Sequence, residues 1–224
     1  MIRGIIFDFD GLILDTEVPE FQVWQEIYAA HGCELPLATW ATSIGTSYEV
    51  FDPFAYLEAQ LGRLVERETI RLKRQQRYTE LLSAQAVLPG VCEYIADARR
   101  LGLQLGVASS SSRAWVTGHL TQLGLCAHFD CITCADDVQR TKPDPALYRA
   151  ALAALGLRAD QAIALEDSPN GIAAAKRAGL FCVAVPNSLT RQLSLTHADL
   201  QLDSLADLPL ERLLGVVQGH GRGV

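Results

Sequence analysis

The sequence contains no apolar run that approaches the ~20 residues a membrane-spanning helix needs. Its apolar start, Ile2 to Phe7, is cut short by Asp8 and Asp10, unlike a secretory signal. Basic residues are also in the minority, with 19 Lys and Arg against 26 Asp and Glu and a net charge of −7. No broad basic surface is therefore available for a nucleic-acid polymer or an anionic membrane. We expect a cytoplasmic monomer with neither kind of partner.

Internal repeats and low-complexity segments are also absent from the 224 residues. Only 20% of the residues are charged and 49% are hydrophobic, so the chain has enough apolar material for a packed core and is not disordered. At about 150 residues per domain, this length fits one domain with a large insertion or two small domains.

Short apolar runs rich in β-branched residues predict buried strands, because each is too short for a helix. They lie at Ile2–Phe7, Leu103–Ala108, Cys131–Thr133, Ala162–Leu165 and Phe181–Val185. Helical patterns lie between them, at Val91–Leu101, Arg113–Leu123, Pro145–Leu155 and Asn170–Ala178. This alternation predicts an α/β fold, a Rossmann-like parallel sheet covered by helices on both faces.

The segment between the first strand and Pro89 breaks the alternation. Val18, Phe21 and Trp24 recur at helical spacing, and a charged helix is predicted from about Leu64 to Leu82. Because no strand pattern occurs there, we expect an all-helical domain of residues 15–86 inserted into a core formed by residues 1–14 and 87–224.

Polar residues follow the predicted strands. They lie in Asp8-Phe9-Asp10-Gly11, Ser109-Ser110-Ser111-Ser112, Lys142-Pro143-Asp144-Pro145 and Glu166-Asp167-Ser168-Pro169-Asn170-Gly171. Taken singly, each has a structural explanation such as a helix cap, because Ser and Asp suit N-caps and Pro suits the first turn. The carboxyl ends of parallel strands meet in one crevice, however, so the acids, hydroxyls and single lysine are predicted to lie together.

Phosphoryl transfer requires such a set. Asp8, directly after the first strand, suits the role of nucleophile that forms an aspartyl-phosphate. Asp10, two residues on, can protonate the leaving group and then act as base for the attacking water. Ser109 and Ser110, near a helix N-terminus, offer donors to phosphate oxygens.

A carboxylate that attacks a phosphate dianion also faces like-charge repulsion, which positive charge must offset. Lys142 supplies one such charge. Mg²⁺ prefers hard oxygen ligands and needs only one or two carboxylates besides the phosphate. We expect Asp167 to be a metal ligand and Glu166 to support the metal through water.

The ordered segments Asp8-Phe-Asp-Gly-Leu-Ile-Leu-Asp-Thr-Glu, Ser109, Lys142-Pro-Asp-Pro and Leu165-Glu-Asp-Ser-Pro-Asn-Gly resemble the four motifs of the haloacid dehalogenase superfamily, in particular its β-phosphoglucomutase-like phosphatase branch. The resemblance spans essentially the whole chain. It implies a Rossmann-like core with a mobile helical cap inserted after the first motif. It further implies that Asp8 is nucleophile and metal ligand, that Asp10 is acid/base and binds metal through its backbone carbonyl, that Ser109 and Lys142 bind phosphate, and that Asp167 completes the metal ligands.

Asp10 also separates activities within that superfamily, because members similar to the dehalogenases proper lack an acid at this position. We therefore expect a Mg²⁺-dependent phosphatase acting on a small phosphorylated metabolite, either a sugar phosphate or a nucleotide-like monoester. One alternative is a phosphomutase of the β-phosphoglucomutase type. Another is a catalytically idle binding module, against which the intact acids and Lys142 argue.

The predicted cap bears on the substrate. Glu17 lies at an expected hinge between core and cap. The resemblance to the mutase branch implies a His in the first cap helix at the position where this chain has Glu20. Thr46-Ser47-Tyr48 replaces a basic residue that is usual after Gly45 in that branch, and both departures weaken the mutase interpretation. Lys73 and Arg74 lie in a basic stretch that is read either as a solvated helix face or as a source of one cation for the cleft.

Overall fold

The computed structural model describes residues 1–41, 44 and 51–220. Its centre is one sheet of six parallel strands in the order β3-β2-β1-β4-β5-β6. The strands are β1 (Gly4–Phe7), β2 (Gln104–Ala108), β3 (Cys131–Thr133), β4 (Ala162–Glu166), β5 (Phe181–Ala184) and β6 (Leu200–Gln201). The five predicted strands are confirmed to within two residues. β6, two residues at the sheet edge, was not predicted because it is too short to carry a pattern.

Both faces of the sheet are buried. Ile5 and Phe7 of β1 belong to one apolar cluster, whereas Ile6 between them belongs to the cluster on the other face. This placement explains why Ile5, Ile6 and Phe7 of β1 form an unbroken apolar run. The covering helices are α5 (Val91–Arg100), α6 (Arg113–Gln122), α7 (Ala146–Leu155), α8 (Pro169–Arg177) and α9 (Leu210–His220). The predicted α/β fold class is confirmed.

The described residues between β1 and α5 form helices around a separate core. These helices are α1 (Glu17–Ala30), α2 (Leu37–Trp40), α3 (Pro53–Leu61) and α4 (Arg67–Ser83). The buried aromatic and aliphatic side chains of Trp24, Tyr28, Trp40, Phe54 and Leu57 pack against one another there. The charged helix predicted from Leu64 begins at Arg67 in the structure. The Val65 amide and the Arg67 side chain both donate hydrogen bonds to the Glu58 carboxylate there.

Two adjacent segments join this helical unit to the sheet. Leu14 forms an antiparallel bridge with Val87, and the Leu88 amide donates to the Ile13 carbonyl at 2.9 Å. The predicted boundaries at residues 14/15 and 86/87 stay predictions. None of the helices formed by the described residues combines the length and apolar character that a membrane crossing requires.

Candidate active site

Polar residues follow the carboxyl ends of three neighbouring strands in the middle of the sheet. Asp8 follows β1, Ser109 follows β2, and Glu166 and Asp167 stand at the end of β4. β1 lies between β2 and β4. From β1 the chain adds β2 and β3 on one side and then β4, β5 and β6 on the other, so the order of strand addition reverses there. In open parallel sheets the crevice at such a reversal is the usual place for a ligand.

Three carboxylates meet there around one ammonium group. Oxygens of Asp8, Glu166 and Asp167 lie within 4.8 Å of one another. Lys142 Nζ donates to Asp8 Oδ1 and to Glu166 Oε1, each at 2.6 Å. All four side chains are at least nine-tenths buried. The chain therefore brings four of its predicted site residues together from three separate loops.

Burial sets the protonation of this cluster. Burial raises the pKa of Asp8 to about 8, with the charge of Glu166 adding to the shift and Lys142 opposing it. Burial and the charge of Asp8 also hold the pKa of Asp167 well above its ordinary value. Burial alone would lower the pKa of Lys142, but Asp8 and Glu166 outweigh it and raise the pKa. The ammonium group of Lys142 therefore does not by itself neutralise the negative charge that Asp8, Glu166 and Asp167 would carry when ionised.

This donor set fits Mg²⁺, since it consists of hard carboxylate oxygens whose negative charge one lysine does not offset. Glu166 is the most constrained member, because Tyr148 donates to it at 2.5 Å and Ser168 at 3.4 Å. Gly171 lies against it so closely that a Cβ would overlap the Glu166 carboxylate.

Asp10 is held separately from these carboxylates by four donors. Oδ1 accepts from Thr16 Oγ1 at 3.0 Å and from Trp115 Nε1 at 2.9 Å. Oδ2 accepts from Ser109 Oγ at 3.2 Å and from Ser111 Oγ at 2.7 Å. Its orientation is therefore determined by Thr16, by the serine loop and by Trp115 of α6 together.

A cavity of about 360 Å³ opens above the cluster, between the sheet edge and the helical unit. Its lining comprises Asp8, Asp10, Thr16, Glu17, Glu20, Trp40, Arg74, Gln75, Tyr78, Ser110, Ser111, Ser112, Trp115, Lys142 and Asp167. Ser109 is fully buried beneath it, and its hydroxyl is engaged with Asp10. The buried Ser110 Oγ has no hydrogen-bond partner among the described residues, as suits a donor to a ligand oxygen.

The two predicted cap cations differ in position. Arg74 lines the cavity, where its guanidinium pairs with Glu20. Lys73 is not among the lining residues and lies in a separate groove beside Ile27 and His31, so of the two alternatives the structure places Arg74 at the cavity. Arg74, Gln75 and Tyr78 share the face of α4 that lines the cavity, whereas Lys73, about 100° around the helix from Arg74, lies on the side that meets the groove.

Several residues at the site were not predicted. Trp115 and Tyr78 carry no motif, and only their packing reveals them. Asn187, in the loop after β5, donates to Asp167 Oδ2 at 3.0 Å and to the Gly11 carbonyl at 3.4 Å. Ser111 had a signal, since it belongs to the serine run after β2. The predicted interpretation of Thr46-Ser47-Tyr48 concerns residues outside those that the structure describes.

The chain is similar to proteins of known family and known structure. The family model described as haloacid dehalogenase-like hydrolase matches residues 5–185. The putative phosphatase YhcW of Bacillus subtilis is 47% identical over 96% of this chain and 97% of its own length.

Two solved structures are also similar. CbbY of Rhodobacter sphaeroides, crystallised with phosphate and, as a mutant, with xylulose-(1,5)bisphosphate, is 32% identical with a TM-score of 0.71, covering 93% of this chain and 96% of its own. A β-phosphoglucomutase from Clostridium difficile is 25% identical with a TM-score of 0.77, covering 98% and 99%.

Proposed function

Since the chain belongs to the haloacid dehalogenase-like hydrolase family and is a phosphoric monoester hydrolase, we propose that it is a Mg²⁺-dependent phosphatase that hydrolyses a small phosphorylated metabolite through an aspartyl-phosphate on Asp8. The observation that supports this most is the buried cluster of Asp8, Glu166 and Asp167 around Lys142 at the floor of the cavity. Oxygen nucleophile, ligand oxygens and a fixed cation are the parts that phosphoryl transfer needs.

In the first step a carboxylate oxygen of Asp8 attacks phosphorus, and the bond to the ester oxygen breaks. Asp10 donates a proton to that departing oxygen, so the alcohol leaves uncharged. Lys142 holds Asp8 Oδ1 and offsets the charge of the phosphoryl group. Ser110 Oγ, which has no partner among the described residues, donates to a phosphoryl oxygen.

In the second step Asp10 takes a proton from water, and the resulting hydroxide oxygen attacks phosphorus of the aspartyl-phosphate. The bond between phosphorus and Asp8 breaks, which frees inorganic phosphate and regenerates the carboxylate. When Mg²⁺ is bound, by Asp8, Asp167 and the Asp10 carbonyl with Glu166 acting through water, it supplies further positive charge for the phosphoryl group.

The test is release of phosphate from p-nitrophenyl phosphate. We expect turnover that EDTA abolishes and Mg²⁺ restores, and none in Asp8→Asn. Asp160→Asn serves as the control, because Asp160 is an exposed carboxylate at the opposite end of β4. Turnover by Asp8→Asn would exclude Asp8 as the nucleophile, and a chain inactive on every phosphate ester would return the idle binding module to consideration.

A phosphomutase is the second candidate, favoured by the likeness to β-phosphoglucomutase. It would return the phosphoryl group to a sugar rather than to water. Interconversion of glucose 1-phosphate and glucose 6-phosphate, primed by the bisphosphate and faster than phosphate release, would establish it. We expect hydrolysis to be faster, because Glu20 stands at a position where a mutase would place a cationic partner.

A further inference from the structure

We propose that the substrate carries a single phosphate on an uncharged polyhydroxy body, and that the Glu20–Arg74 ion pair is what excludes bisphosphates. The proposal rests on the proposed phosphatase function and concerns the end of the cavity that faces the helical unit. Glu20 and Arg74 both line that cavity, on α1 and α4 respectively.

The cavity is poor in cations. Among its described lining residues there are five carboxylic acids, and the cations are Lys142 and Arg74. Lys142 is bound to Asp8 and Glu166 at the floor, where the reacting phosphate belongs. A second phosphate would therefore depend on Arg74.

Arg74 is already neutralised. Its Nε donates to Glu20 Oε1 at 2.8 Å and its Nη2 at 2.5 Å. The same Glu20 oxygen accepts from Trp24 Nε1 at 2.9 Å, which keeps the carboxylate in place. Glu20 is only 10% exposed and Arg74 20% exposed, so the pair is sheltered from solvent and held firmly. A second phosphate dianion here would meet the Glu20 carboxylate as well as the guanidinium.

Among the described residues that line the cavity, Lys142 and Arg74 are the only cationic side chains. The undescribed residues Thr42, Ser43 and 45–50 contain no Lys, Arg or His in the sequence. Lys73 lies in a different groove.

The remaining lining suits hydroxyl groups. The carboxyl group of Glu17 offers an oxygen acceptor, and Gln75 offers both an acceptor and donors. Trp40 and Tyr78 present ring surface to the C–H groups of a sugar or polyol. A volume of about 360 Å³ is at the low end of the range for small-molecule sites, ~300–1,000 Å³.

The test compares mono- and bisphosphates of one sugar. Glucose 6-phosphate is paired with glucose 1,6-bisphosphate, and fructose 6-phosphate with fructose 1,6-bisphosphate, each as substrate and as competitor of p-nitrophenyl phosphate hydrolysis. In the wild type we expect a monophosphate to be favoured about tenfold in kcat/KM or inhibition constant, as one lost charge-assisted contact implies. Adenosine monophosphate is included as a compact nucleotide.

Glu20→Gln supplies the second arm. Glutamine keeps an acceptor for Trp24 Nε1 but leaves the charge of Arg74 uncompensated. We expect Glu20→Gln to bind bisphosphates more strongly than the wild type does, so that the preference for the monophosphate over the bisphosphate falls by about tenfold. Glu58→Gln is the matched control, because Glu58 pairs with Arg67 in the same helical unit but outside the cavity lining. This control should leave the preference unchanged.

If Glu20→Gln does not fold, the comparison of sugar mono- and bisphosphates in the wild type tests the proposal without it. A bisphosphate that matches or exceeds its monophosphate, an unchanged preference in Glu20→Gln, adenosine monophosphate outperforming the sugars, or no competition by any sugar phosphate would each overturn the proposal. Loss of p-nitrophenyl phosphate hydrolysis in the wild type would instead refute the proposed function, so the two failures are distinguishable.

Discussion

The indole ring of Trp115, on α6 of the sheet unit, stacks on the phenol ring of Tyr78, on α4 of the helical unit, with centroids 6.0 Å apart and an interplanar angle of 13°. The same indole donates to Asp10 Oδ1 at 2.9 Å. One side chain therefore touches both the proposed acid/base and the helical unit that covers the site.

Trp115→Phe is expected to misplace Asp10 while it preserves the aromatic contact. Phe cannot donate a hydrogen bond, so kcat/KM for an alkyl phosphate should fall about tenfold. The rate for p-nitrophenyl phosphate should fall much less, because its leaving group needs no proton. Steady-state kinetics on both esters measure this difference.

The comparison variant is Tyr78→Phe, which keeps the ring and loses a hydroxyl contact with the Thr16 carbonyl. It should change both rates by the same factor. Equal losses on the two esters in Trp115→Phe would contradict a role in positioning Asp10.

Lys142→Met should remove activity and weaken the fold. The ammonium of Lys142 is the cation that Asp8 and Glu166 share, so its loss leaves buried carboxylates unpaired. We expect kcat to fall ~10²–10³-fold and urea denaturation without metal to report a loss of about 3–5 kcal/mol.

Adding Glu166→Gln to that variant should recover part of the stability but no activity, because it removes one of the stranded charges. A double variant no more stable than Lys142→Met would argue against charge as the cause.

Asp167→Asn separates metal binding from folding. Burial and the charge of Asp8 raise the pKa of Asp167. An ionised Asp167 carboxylate therefore lowers the free energy of unfolding of the metal-free protein. We therefore expect Asp167→Asn to melt at the wild-type temperature or above it in EDTA. Mg²⁺ at about 100 times its Kd should stabilise the wild type by about 2.7 kcal/mol and leave the variant nearly unchanged. Differential scanning calorimetry with and without Mg²⁺ provides the measurement, and an equal Mg²⁺ shift in both proteins would remove Asp167 from the ligand set.

Gly171→Ala should displace Glu166. A Cβ at residue 171 would overlap the Glu166 carboxylate, which is locked in place by Lys142 and Tyr148. Overpacking of this kind costs about 1–3 kcal/mol. Chemical denaturation quantifies the loss, and activity should fall with it.

Gly118→Ala provides the contrast, since a Cβ there has nothing within 4 Å and Gly118 lies inside α6. It should stabilise the protein by up to about 1 kcal/mol through helix propensity. If both glycine variants behave alike, contact with Glu166 is not what requires Gly171.

Much of the fold followed from local pattern. β1 and β4 are buried along their whole length, and β2 and β5 from their second residue onward, so each contains an apolar run that a sequence displays directly. β6 has no such run because it is a two-residue edge strand. The roles of Asp8, Asp10, Lys142 and Asp167 were inferred from motif order, and their assignment stays a prediction that the variants above test.

The sequence by itself determined the alternation of strand and helix, the helical insertion and the family, because these depend on periodicity and on short contiguous motifs. Only the tertiary structure decided that Arg74 rather than Lys73 reaches the cavity, that Glu20 neutralises it, and that Trp115 and Asn187 support Asp10 and Asp167. Those contacts join residues 20 to 105 positions apart. The direction in which each such side chain points is set by packing between elements, which no local pattern encodes.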